Sequence, residues 1–225
     1  MSAPPSQVQL DFDRIALLSS DGWNHNNHYD SFLLEQLPPS SELDALEIGC
    51  GTGSFTRLLA QRFRRVLAID LSPRMIEIAE EQSRQYSNID YRVADVMTSE
   101  FPTGQFGCVA SIATFHHLPL EPVLYKIKAA LKSGGTLLTL DLYKAESLAD
   151  FLSSLWAIPV NMTLKLIKNG RIRESPEVRA AWSEHGRTDK YLTLSEVRQT
   201  CATILPEAQV KRHLLWRYSI IWKKE

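Results

Sequence analysis

The middle of this 225-residue chain alternates short apolar runs with apolar residues at helical spacing. Residues 43–48, 66–69, 89–93, 106–112 and 136–142 form the short runs and read as strands. Several are apolar throughout instead of alternating, the pattern of parallel strands covered on both faces. Between them, Phe55, Leu58, Leu59 and Phe63 recur at helical spacing, as do Met75, Ile78 and Ala79 behind the start signal Ser72-Pro73. Leu124, Ile127 and Leu131 mark a further helix, stopped by Gly134-Gly135. A βαβαβ series of this kind predicts an α/β fold with a doubly wound, mostly parallel sheet. Residues 209–224 add two antiparallel strands with a turn near 214–216, which brings the sheet to seven strands with an antiparallel C-terminal edge.

The flanks divide the chain further. Residues 1–39 form an arm with the polar, aromatic stretch Trp23-Asn24-His25-Asn26-Asn27-His28-Tyr29, then a helix around 32–37 closed by Pro38-Pro39. Residues 40–142 hold the ligand-binding core. Residues 143–192 carry helical patterns and no strand, and are expected to cap the core. Residues 193–225 complete it, with Leu194, Val197, Cys201 and Leu205 on a last amphipathic helix ahead of the final strands.

Composition narrows the class. With 25 basic and 26 acidic residues interspersed, the net charge is −1, and no basic stripe of a nucleic-acid binder appears. No apolar run reaches the ~18 residues of a membrane span, and the first nine residues lack the charged-then-apolar order of a leader. Three dispersed cysteines, an odd number, fit reduced thiols and a cytoplasmic location. A monomer or homodimer is expected.

The chemistry-bearing residues gather at the ends of predicted strands. The first strand runs into Glu47-Ile48-Gly49-Cys50-Gly51-Thr52-Gly53 and then a helix. Glycines here permit a tight turn and close approach of the backbone to a ligand. The spacing departs from the G-x-G-x-x-G of dinucleotide-binding turns. A carboxylate two residues before the first glycine would repel a pyrophosphate and favour a ligand carrying an ammonium and a sulfonium. Asp70 ends the second strand, where a carboxylate accepts hydrogen bonds from ribose hydroxyls. Asp95-Val96 follows the third, where a short acid can accept from an adenine amino group while Val96 and Leu71 sandwich the ring.

In order along the chain, LEIGCGTGSFTRLLA, VLAIDLSPRMIEIA, YRVADV, FGCVASIATFHHLP and LKSGGTLLTLDLY resemble the successive motifs of class I S-adenosylmethionine-dependent methyltransferases, over roughly residues 40–142. The flanks WNHNNHYDSFLLEQLP and RHLLWRYSIIWKK look like those of a bacterial small-molecule subgroup. The resemblance implies a Rossmann-like fold, S-adenosylmethionine as cofactor and S-adenosylhomocysteine as product. It implies that residues 49–53 wrap the methionine part, that Asp70 binds the ribose and that Asp95 and Val96 face the adenine. Glu47, Cys50, Leu71, Met75 and Ala113 are expected in the same crevice.

The fourth strand ends in Ile112-Ala113-Thr114-Phe115-His116-His117, beside the place of the reactive methyl. His117 and His116 are therefore the base candidates for an acceptor that loses a proton. Trp23, His28 and Tyr29 on the arm, with His25 beside them, and Met162 and Trp182 in the cap are expected to meet the acceptor. Trp156 and His185 of the cap are suited to the same lining. No asparagine- or aspartate-Pro-Pro-aromatic motif and no cysteine follow the fourth strand, which disfavours methylation of nucleic-acid bases. His25 and His28 stand three apart without further ligands, so no metal is expected. The reading is methyl transfer to a small-molecule acceptor, at oxygen or nitrogen before carbon. A cofactor-binding partner or sensor without turnover, and a methyltransferase of protein or RNA, are the alternatives.

Overall fold

The computed structural model describes residues 6–18, 22–39, 41–187 and 189–225; residues 1–5 of the polar start and Ser40, at the expected domain boundary, lie outside them. Seven strands form one sheet in the order β3-β2-β1-β4-β5-β7-β6. They are β1 (Ser41–Ile48), β2 (Phe63–Asp70), β3 (Ile89–Val93), β4 (Phe106–Ile112), β5 (Leu131–Leu142), β6 (Gln209–His213) and β7 (Arg217–Lys223). The first five run parallel, and β7 runs against both β5 and β6. This is the doubly wound Rossmann-like arrangement that the alternation of apolar runs predicts.

Two-sided burial explains why the central strands are largely apolar. In β1 and β4, Leu46, Ile48 and Val109 face one core, and Ala45, Cys108 and Ala110 face the other. The first core is closed by α5 (Leu120–Ala130) and α8 (Leu194–Ile204), through Val123, Leu124, Ile127, Val197 and Cys201. The second is closed by α2 (Asp30–Leu34) and α3 (Ser54–Ala60), through Leu33, Phe55 and Leu59. At ~25 cal/mol per Å² of apolar surface, these two layers supply the main driving force for folding.

Some boundaries differ from the sequence expectation. Phe63 opens β2 instead of closing α3, and its ring is buried in the second core. Leu131 turns extended at the end of α5 and starts β5, so Gly134-Gly135 lie within a strand. There Gly134 has φ +76° and the β4–β5 register shifts between Phe106 and Cys108, which accommodates the extra length. The helix expected over 32–37 is the shorter α2, and it ends ahead of Pro38-Pro39.

The segment expected as a cap divides. α6 (Leu148–Asn169) packs Ala157, Val160 and Leu164 against the second core. It leaves Trp156 69% and Met162 44% exposed, so neither side chain lines an enclosed pocket. α7 (Pro176–His185) goes to the strand ends, where it meets α1 (Gln7–Leu18). Among the described residues, no helix is long and apolar enough to cross a membrane.

α1 is an element the sequence reading left as part of the arm. Ile15 and Ala16 bury against Met75 of α4 (Pro73–Gln82) and Ala181 of α7. Asp13 fixes its height: one carboxylate oxygen accepts from Ser72 Oγ at 2.5 Å and from Arg74 N at 3.3 Å. Asp13→Ala should release α1 by about 1–2 kcal/mol. The expected readout is roughly ten-fold faster amide exchange in residues 7–18 with β1 and β4 unchanged; equal protection in both proteins would show that apolar packing alone holds the helix.

Candidate active site

The turn after β1 is built around three left-handed glycines, each for a different reason. Gly49 has φ +71°, and a Cβ there would lie 2.1 Å from Thr114 Oγ1 on the turn after β4. Gly53 has φ +77°, and its Cβ would lie 2.2 Å from the Tyr91 hydroxyl of β3. Gly51 has φ +51°, but nothing stands within 4 Å of its Cβ position. Two glycines thus let strands close up, while the third opens onto free space at the C-terminal ends of β1 and β4. In an open α/β sheet that is where ligands bind.

Asp70 ties this turn to the next. Its Oδ2 accepts from Gly51 N at 2.8 Å and its Oδ1 from Ser72 N at 2.9 Å. Burial raises its pKa, and the Ser72 and Gly51 amides oppose that shift. The helix cap itself is Ser72, whose Oγ accepts from Met75 N at 3.0 Å. Two bonds leave each Asp70 oxygen a lone pair for a ligand hydroxyl.

Glu47 lies beneath the turn and is fully buried. Thr56 Oγ1 donates to it at 2.5 Å, and among the described residues no cation pairs with it. Burial pushes its carboxyl up to about 8. A buried acid with no cation beside it is an acceptor that an ammonium-bearing ligand would ionise and pair with.

The remaining expected cofactor residues are spread around this crevice. Asp95 turns one oxygen back to Met97 N at 2.7 Å, and Val96 is buried beside it. Lys126 holds that loop by donating to the carbonyls of Val96, Met97 and Ser99. Leu71 is half-buried at the end of β2. Ala113 takes φ +52°, with its amide bonded to Leu140 O at 2.7 Å. Two of these residues bury their side chains. Cys50 packs with Ala68 and Ile76, so only its backbone belongs to the turn, and burial keeps its thiol protonated. Met75 lies under α1.

Beyond the turn after β4, the structure assembles a group that sequence spacing did not reveal. His116 Nδ1 lies 2.6 Å from Asp141 Oδ1, and its backbone N–H donates to Asp141 Oδ2 at 2.8 Å. His117 Nδ1 and His185 Nε2 face Asp189 Oδ1 at 3.5 and 3.7 Å. Phe12 of α1 covers them, its ring 5.6 Å from His117 and 4.7 Å from His185. Both turn histidines are under a tenth exposed. Burial, with His116 adding to it, pushes His117 down to about 4, so it is neutral at pH 7. Asp141, Asp189 and Phe12 escaped the sequence reading because they come from separate elements; the one signal was Asp141, the one acid in β5.

The expected acceptor residues fall into two places. Trp182 joins this cluster, 6.5 Å from Phe12 and 5.9 Å from His185. Trp23 and Tyr29 lie elsewhere, against α6 and the β6–β7 turn, and the His28 ring contacts both of them at 5.8 and 4.8 Å. The Trp23 amide donates to Asn169 Oδ1, and the Tyr29 hydroxyl donates to Leu214 O at 2.6 Å. Buried Arg217 joins them by donating to Asn26 Oδ1 at 2.9 Å.

The chain is similar to known proteins. A family model described as a methyltransferase domain matches residues 46–139, from the glycine turn to the middle of β5. An uncharacterized methyltransferase of Mycobacterium tuberculosis is 29% identical over 205 residues, 89% of this chain and 96% of that one. A malonyl-[acyl-carrier protein] O-methyltransferase of a Paenibacillus species is 41% identical over 106 residues, 44% of this chain and 38% of its own length. The fold matches that of geranyl diphosphate C-methyltransferase from Streptomyces coelicolor, solved with S-adenosylhomocysteine, at a TM-score of 0.67 over 99% of both chains and 12% identity. Together these matches support reading the protein as a class I S-adenosylmethionine-dependent methyltransferase. It is an enzyme of methyl transfer, with S-adenosylmethionine as its cofactor.

Two measurements probe the turn. Gly49→Ala combines a left-handed alanine with a clash against Thr114, and should cost about 2–4 kcal/mol of stability by denaturant titration. Loss within error of zero would mean that the β1 and β4 ends separate freely. Glu47 carries a pH signature. A carboxyl raised from 4.5 to about 8 gives stability that is complete below 4.5 and lost as pH rises through 8. Ligand-free wild-type protein should therefore lose stability relative to Glu47→Gln between those values; parallel pH profiles would show Glu47 ionised as an ordinary acid.

Proposed function

We propose that this enzyme methylates an oxygen or nitrogen of a small-molecule acceptor held between the turn after β4 and the α1–α7 cover. The observation that carries the reading is the open space at Gly51 between the Asp70 carboxylate and buried Glu47, at the C-terminal ends of adjacent parallel strands. In this reading Asp70 accepts from the ribose hydroxyls with its remaining lone pairs. The backbone of residues 49–53 lies along the methionine part, with Ala113 opposite, and Glu47, protonated in the ligand-free protein, ionises against its ammonium. Asp95, Leu71 and Val96 bound the adenine. S-adenosylmethionine brings an activated methyl carbon, so the protein's task is in-line approach and exclusion of water. Phe12 and Trp182 serve the second task by covering the acceptor end with apolar surface.

His116 and His117 form the polar wall of that end. Because both are covered and His116 is held by Asp141, we assign them to the shape of the site before proton transfer. A neutral amine acceptor needs no base at the moment of attack. The O-methyltransferase name of the Paenibacillus relative supports oxygen as the other candidate atom. A balanced net charge of −1 supports a small acceptor over nucleic acid.

The acceptor is found by comparing metabolites of cells with and without the protein, fed labelled methionine, for a labelled methyl gain. Appearance of such a product on RNA or protein alone would replace the small-molecule reading. For the cofactor, Asp70→Ala should weaken S-adenosylmethionine binding by roughly 1.5–3 kcal/mol in calorimetry. Unchanged affinity would remove Asp70 from the ribose.

A further inference from the structure

We propose that His116, His117, His185 and Asp189 bind one divalent cation of the zinc class, which clips the end of α7 to the turn after β4. One ligand atom from each residue lies within 4.8 Å of all the others. The separations are informative. His117 Nδ1 to Asp189 Oδ1 is 3.5 Å, His185 Nε2 to the same oxygen is 3.7 Å, and His116 Nε2 to Asp189 Oδ2 is 3.9 Å. These exceed a good hydrogen bond. The two to Oδ1 approach the edge of a tetrahedron of ligands around zinc, about 3.3–3.5 Å for bonds of ~2.0–2.1 Å.

The far side of each ligand is also in place. His116 Nδ1 is held by Asp141 at 2.6 Å and His185 Nδ1 by Asp11 at 3.2 Å, which directs both Nε2 atoms inward. The Tyr191 hydroxyl donates to Asp189 Oδ2 at 2.6 Å. Carboxylates behind ligating imidazoles fix the ring orientation and raise ligand basicity. All four side chains are at most 8% exposed. Three imidazoles and one carboxylate suit zinc over magnesium or calcium, which prefer oxygen sets. Four protein ligands leave no open position, so the ion is structural. Its ligands come from two distant parts of the chain, and the clip sets where α7 and Phe12 lie. The inference is independent of the methyltransferase reading, because metal binding is read without turnover.

The test is a titration of chelator-treated full-length protein with cobalt(II), followed by zinc. The expected result is one cobalt per chain with the intense visible absorption of a four-coordinate nitrogen–oxygen site, erased by one equivalent of zinc. Zinc should also raise the melting temperature. His185→Ala and Asp189→Asn should each weaken zinc at least 100-fold. Asp11→Asn, which touches no metal, should weaken it 10- to 100-fold. A thiolate-to-cobalt charge-transfer band, a weak six-coordinate spectrum, or wild-type zinc affinity in Asp189→Asn would each overturn the proposal. The wild-type stoichiometry and spectrum decide it even if a variant fails to fold.

Discussion

The Asp70 carboxylate is the contact on which the site's geometry depends. By accepting from Gly51 on one side and Ser72 on the other, it sets the spacing between the turn after β1 and the start of α4. The glycine turn keeps its left-handed path because that carboxylate stands where its amide points. α4 starts where it does because Ser72, fixed by the same residue, caps it. α1 then docks on the capped end through Asp13. A single acid at a strand end thus organises one face of the crevice and part of its cover.

Much of this was legible in the chain. Strands that are buried on both faces are largely apolar, and β4 and the later half of β5 announced themselves in that way. Tight turns with positive φ need glycine, so residues 49–53 marked the crevice. The C-terminal hairpin was also placed, although its turn puts Leu215 and Trp216 at φ +58° and +59° without a glycine. Fully buried Leu215 shows what holds that turn: its side chain packs in the second core.

What escaped was whatever depends on contacts between distant segments. α1 is short, and its buried set of Ile15 and Ala16 is too small to stand out before Met75 and Ala181 supply the other side. The histidine cluster draws on the turn after β4 and on the end of α7, with Asp141 and Asp11 behind it. Spacing along one stretch of chain cannot show such a group. The arm offered residue types without their partners: Trp23 bonds to α6, Tyr29 to the β6–β7 turn, and Asn26 beside them accepts from buried Arg217.

α1 touches both halves of the crevice. Asp13 rests on the Ser72 end, while Phe12, Asp11 and Arg14 engage the α7 end through His117, His185 and Glu184. The helix is rigid over this short span, so its two attachments cannot be released one at a time without bending it. The start of α4 and the end of α7 are therefore held at one spacing by one helix, a strut that carries a shift at either end to the other.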